Sequence, residues 1–156
     1  MEKIIFKQLE FVRSNTMRVI EDVSDEMADV IPEGFRNNIR WQLGHIYFVN
    51  EAFAFYYNDL PMHGVKGFKE WFSNGTTPLD WVTEPPSMKE LRDLLEGQQE
   101  RIQSALTNRL EEETKQKFTT GSGFALETTG EFLNFNLYHE GMHVSVIKIY
   151  KSLIQK

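Results

Sequence analysis

His139 and His143 stand four residues apart near the C-terminal end of the sequence, in Tyr138-His-Glu-Gly-Met-His143, with Glu140 directly after the first. Two imidazoles at that spacing share one face of a helix and can bind one divalent ion, and a glutamate beside them is what a zinc peptidase uses as its general base. Such sites take a further ligand downstream, either a histidine six residues past the second or a glutamate on a later helix. Ile149 occupies the first of these places, and Val144 to Lys156 contains no His, Asp or Glu. The downstream ligand of a peptidase is missing, so a third ligand has to lie upstream, where His45 and His63 are the remaining histidines.

His45 belongs to a helical pattern in which Trp41, His45, Phe48, Ala52 and Phe55 share one face, about two turns from a capped start at Asn37 or Asn38. His63 lies in Pro-Met-His-Gly, a turn-like stretch, and is expected at the surface. A histidine on a rigid helix is the better-held donor, so His45 is favoured. On the last helix Phe132, Phe135, Asn136, His139, His143, Val146, Ile147 and Tyr150 fall on one side, so both imidazoles face the interior. The plainer reading is a pair of satisfied core histidines; the i, i+4 pairing on an aromatic face argues for a shared metal. Trp41, Phe48, Phe135 and Asn136 flank the histidines and are expected to line a substrate pocket. Glu140, about 100° around the helix from His139, is a candidate catalytic base. Its competing role is that of a solvated or ion-paired surface residue.

The elements that must position these groups are mostly helical. Apolar residues at Ile5, Leu9, Val12, Thr16, Val19 and Val23 predict a first helix over 2–23. Ser24 caps a short second one that Pro32 and Gly34 end. The His45 helix runs from Asn37 or Asn38 to about Tyr57, and Gly44 inside it signals a close approach of something to its backbone. Residues 58–86 hold four of the five prolines together with Trp71 and Trp81, which predicts a packed irregular connection with a short helix around Phe68 to Phe72. Each of those tryptophans is either core packing or a lid or dimer contact, with packing favoured. Ser87-Met-Lys-Glu90 is a capping box opening a helix to about Leu110, and Thr128-Thr-Gly-Glu131 is a second one opening the histidine helix to about Leu153. Between them Phe118 to Phe124 breaks the helical period and reads as a turn or a small hairpin. Four long helices and little else predict an all-α four-helix bundle, a single domain over 1–156.

The composition narrows the chemistry. A net charge of −6 with scattered Lys and Arg disfavours nucleic acid and anionic membrane surfaces as partners. With no cysteine there is neither a thiolate ligand nor a cysteine nucleophile, so a metal must rest on His, Asp, Glu or water. Charges interrupt the N-terminal apolar residues, and no segment approaches the roughly 20 apolar residues of a membrane span. A cytoplasmic protein is the expectation.

Asn38-Ile-Arg-Trp-Gln-Leu-Gly-His45, together with His139-Glu-Gly-Met-His143 and the tail Val146-Ile-Lys-Ile-Tyr150, resembles the DinB-like (DinB/YfiT) superfamily over almost the whole chain. The resemblance implies an up-down-down-up bundle with a long connection between helices 2 and 3. It also implies one divalent ion, usually zinc or nickel, on His45, His139 and His143, with Trp41 and Gly44 matching the residues that precede the first ligand. Relatives include S-transferases using low-molecular-weight thiols such as bacillithiol or mycothiol, a thiol-dependent isomerase, and proteins regarded as metal-dependent hydrolases. The expectations are a small-molecule substrate, a possible thiol cosubstrate and a homodimer. The leading function is a thiol S-transferase acting on a small electrophile; the alternatives are a hydrolase, or a metal- or small-molecule-binding dimer without turnover.

Overall fold

The computed structural model describes residues 2–155. Its helices are α1 (Glu2–Val19), α2 (Asp25–Asp29), α3 (Ile39–Ala54), α4 (Phe68–Phe72), α5 (Met88–Leu106) and α6 (Thr129–Ile154), with a two-stranded hairpin, β1 (Glu113–Thr119) and β2 (Ala125–Thr128), between the last two. The fold is mostly helical, and the hairpin corrects the all-α expectation. α1 packs on α5 and α6, and α3 packs on the same two, so the four long helices close around a shared interior. No described helix is long and apolar enough to cross a membrane.

The helix starts follow the capping residues. Ser24 accepts from the Met27 N–H, Asn38 from the Trp41 N–H, and both capping boxes form, at Ser87/Glu90 and Thr128/Glu131. Helix ends depart further from expectation, because apolar residues continue past them. α1 stops at Val19, and Val23 is buried in the following turn, where its N–H bonds the Ile20 carbonyl at 3.1 Å. α3 stops at Ala54 and a 3₁₀ turn takes Tyr56–Asn58; α5 stops at Leu106 instead of Leu110. The buried stripe of α1 is Phe6, Leu9, Arg13 and Thr16, shifted from the expected one and interrupted by a cation.

The connection after α3 is folded, not loose. α4 lies where the sequence places it, Pro78–Asp80 forms a 3₁₀ turn, and the whole segment packs on α3 through Phe68 and Phe72, both buried. A Cβ on Gly44 would run into the Phe72 ring, which is the close approach the glycine signals. Trp71 and Trp81 pack on the core around Phe72.

β1 and β2 pair antiparallel, Phe118 opposite Leu126, with an irregularity towards Glu113. Leu126 is fully buried against Phe53 and Phe132 of the helices, and Phe118 covers them. That hydrophobic contact fastens a strand whose remaining residues are nearly all exposed and charged or polar. Thr128 ends the strand and caps α6, so the hairpin leads directly into the histidine helix.

Candidate metal centre

α3 and α6 bring His45, His139 and His143 together. All three are buried, and one nitrogen from each lies within 4.8 Å of the others. The Nε2 atom of His139 is 3.3 Å from Nε2 of His45 and 3.2 Å from Nε2 of His143. Two bonds of about 2.0–2.1 Å from a tetrahedral ion put their donor nitrogens roughly 3.3 Å apart, so this spacing is that of a shared metal.

The outward-facing nitrogens decide which atoms carry protons. His45 Nδ1 lies 2.6 Å from the Phe72 carbonyl, which can only accept, so the proton is on Nδ1 and Nε2 is a bare lone pair. His143 Nδ1 lies 2.5 Å from Gln42 Oε1. The Gln42 amide is oriented by its own donation to Asn37 Oδ1 at 2.8 Å, and Asn37 Oδ1 also accepts from the Tyr150 hydroxyl at 2.6 Å. His143 therefore also presents a lone pair at Nε2. His139 can donate from its own Nε2 to only one of these two, and its Nδ1 is buried with no hydrogen-bond partner among the described residues. Either tautomer leaves inward lone pairs unmatched, whereas a cation at their common point would satisfy all three. The donor set fits a divalent metal.

Electrostatics agree. Burial, and then the neighbouring His143 and His45, push His139 down to about 2; burial, and then His45, push His143 down to about 3. Burial also lowers His45, against the raising effect of the Phe72 carbonyl. All three rings are neutral at physiological pH, the form that binds metal. Trp41 stacks on His45 at 4.7 Å between ring centres, 11° from parallel, and its indole N–H donates to Thr76 Oγ1 at 2.8 Å.

Beside the cluster opens a cavity of about 540 Å³, lined by Trp41, Phe48 and Phe135 among others. Asn136 does not line it. It is fully buried, and neither amide atom has a partner among the described residues. His63 stays outside, exposed, with its N–H donated to Glu51 Oε2 at 2.8 Å and its carbonyl accepting from the Tyr47 hydroxyl at 2.7 Å.

Glu140 departs from both roles the sequence allows it. Its carboxylate neither leans toward the histidines nor reaches solvent, being only 1% exposed. It faces α1, where Arg13 grips both oxygens at 2.8 and 3.0 Å and the Thr16 hydroxyl donates at 2.6 Å. Arg13 continues to the Leu95 carbonyl and to Gln98 Oε1 on α5, and the Gln98 amide donates to Glu51 Oε1 on α3 at 2.8 Å. A polar chain through the core thus ties all four long helices. Arg13, Gln98 and Gln42 escape sequence reading; an arginine at the buried i+4 position after Leu9 was the available signal for the first.

Similarity to known proteins follows the same lines. A family model described as the DinB superfamily matches residues 8–147, a span that includes all three histidines. No curated protein matches the chain. Among solved structures, a conserved protein from Enterococcus faecalis superposes over 100% of this chain and 98% of its own, with a TM-score of 0.68 at 14% identity. At that identity the likeness concerns the fold alone.

Proposed function

The chain belongs to the DinB superfamily, and from that premise we propose that it is a metal-dependent enzyme of the thiol S-transferase type, its divalent ion, zinc or nickel, held by His45, His139 and His143. The observation that carries this reading is the convergence of three neutral imidazoles, His139 Nε2 lying 3.3 Å from His45 Nε2 and 3.2 Å from His143 Nε2, while two of the rings are fixed from behind. A divalent ion on three imidazoles supplies an open position and lowers the pKa of a bound water or thiol toward neutrality.

In this reading the nucleophile is a thiol. Among the described residues no Asp or Glu lines the cavity, and Glu140 is committed to Arg13, so the proton of the nucleophile goes to solvent and not to a carboxylate of the chain. A thiol, with an ordinary pKa of about 8.5, starts much nearer neutrality than water does. Since the chain has no cysteine, the thiol is a cosubstrate of low molecular weight, bacillithiol being the kind used by relatives. Its sulfur forms the new bond to an electrophilic carbon, the leaving group takes the bonding pair, and the thiol proton passes to solvent. Trp41 and Phe72 hold His45 in place, Gln42 holds His143, and Phe48 and Phe135 enclose the electrophile. The assembly we expect is a homodimer of single-domain bundles with the up-down-down-up order.

The test is a turnover screen of zinc- and nickel-loaded protein with small thiols and a halogenated arene, beside the triple variant His45→Ala, His139→Ala, His143→Ala. Thiol-dependent loss of halide in the wild type alone supports the transferase. Turnover of ester or amide substrates without a thiol would replace it with a hydrolase, and metal binding without any turnover would replace it with a binding protein.

A further inference from the structure

The cavity beside the histidines is walled by Phe48, Phe53, Tyr57, Phe118 and Phe135, and none of the described residues lining it is Asp, Glu, Lys or Arg. Besides the histidines, the lining residues with a polar side-chain atom are Trp41, Tyr57, Ser73, Asn74 and Thr120, all uncharged. The wall is one continuous aromatic surface: Phe53 lies 5.3 Å from Phe118 and 6.0 Å from Phe135, ring centre to ring centre, and Tyr57 lies 6.0 Å from Phe118. At about 540 Å³ it has the size of a small-molecule site.

A charged group placed against this wall would lose its water and find no counter-charge from the chain, which costs several kcal/mol. Aromatic faces attract cations, but a divalent ion on the histidines would repel one from the same cavity; it would attract an anion only at the histidine end, while the negative ring faces disfavour one along the wall. We infer that the substrate is a neutral, apolar, ring-bearing molecule. Its body lies along the Phe53–Phe118–Phe135 wall, with a single reacting polar atom at the histidine end. This rests on the histidines being the reactive centre, and it assigns the hairpin a purpose: Phe118, with Thr120 and Gly121, forms the outer wall that receives the apolar body.

The test is a fluorescence titration of the full chain with neutral 2-naphthol and anionic 2-naphthoate, on protein stripped of metal so that the carboxylate has no ion to coordinate. The expected result is saturable 2-naphthol binding, with 2-naphthoate weaker by about tenfold or more. Ala52→Trp, which fills the cavity from α3, should abolish 2-naphthol binding. Should that variant not fold, Phe118→Arg on the hairpin supplies the missing counter-charge and should shift the preference by about tenfold toward 2-naphthoate. Binding of 2-naphthoate as tight as 2-naphthol by the wild type, or 2-naphthol binding unmoved by the variants, would overturn the proposal. Metal uptake measured on the same preparations separates the two readings. A preference for 2-naphthol in protein that takes up no zinc or nickel supports this inference and removes the metal centre; metal uptake without the preference does the reverse.

Discussion

Gln42 fixes His143 from behind, and it is itself fixed by Asn37, which Tyr150 holds in turn. Partners of this kind set ring orientation and ligand basicity, and their loss costs about 10- to 100-fold in metal affinity. Gln42→Leu should therefore weaken zinc binding by that order in a chelator competition while leaving the helical circular dichroism intact; unchanged affinity would mean that His143 is oriented by something else. The same residues set a pH dependence. In the folded chain His139 and His143 are held at about 2 and 3, whereas the unfolded chain takes up these protons near pH 6.5. Depressed histidines leave the metal-free protein at full stability above about pH 6.5, and stability falls as the pH drops below that, by up to about 1.4 kcal/mol per unit for each ring. Urea midpoints of metal-free protein should fall steadily from neutral pH toward pH 5, with a shallower slope in His139→Ala. The three histidines and their spacing are legible in the sequence. Their hydrogen-bond partners are not, because a backbone carbonyl from a loop and an amide one turn away leave no pattern in the sequence.

Among the elements, α3 and α6 carry the three histidines, and two contacts set their positions. The Phe72 ring sits against Gly44, and the carbonyl of the same residue receives the His45 Nδ1–H, so one short helix both braces α3 and orients His45. Gly44→Ala would drive a methyl group into that ring; it should cost about 1–3 kcal/mol of stability by overpacking and lower metal affinity as well. A stability loss in a chemical melt without any change in affinity would separate the two roles of Phe72. On the other side of α6, Glu140 is held by Arg13 and Thr16. Glu140→Gln leaves Arg13 buried without its counter-ion, which typically costs about 3–5 kcal/mol. It should lower the unfolding midpoint sharply while the folded fraction still binds one metal ion and turns over with unchanged kcat. A selective loss of kcat would restore the glutamate to the chemistry. Sequence spacing puts Glu140 beside a ligand but does not say which way it faces. An angle of about 100° is enough to turn it into the helix interface, and only the arginine in the α1 stripe hints at its partner.

For the molecule as a whole, helix starts are readable because capping is local chemistry: Ser24, Asn38, Ser87 and Thr128 each make the bond their position predicts. Helix ends are less readable, since Val23 and Leu110 stay buried without being helical. The hairpin is only partly readable: the break at Phe118 to Phe124 allows a turn or a small hairpin, but not the extent of the strands. Its long strand, Glu-Thr-Lys-Gln-Lys-Phe-Thr, is nearly all solvent-facing and polar, and tertiary packing of Phe118 and Leu126 on the helical aromatics holds it in place. The joint result is an uncharged cavity between helices and hairpin, with three histidines at its inner end. The most direct test of the metal centre is the metal content of purified, zinc-loaded and desalted protein by mass spectrometry, wild type beside His45→Ala, His139→Ala, His143→Ala and the triple variant. The account predicts one bound ion per chain in the wild type, a marked loss in each single variant and none in the triple. An ion retained by the triple variant, or none taken up by the wild type, would contradict it.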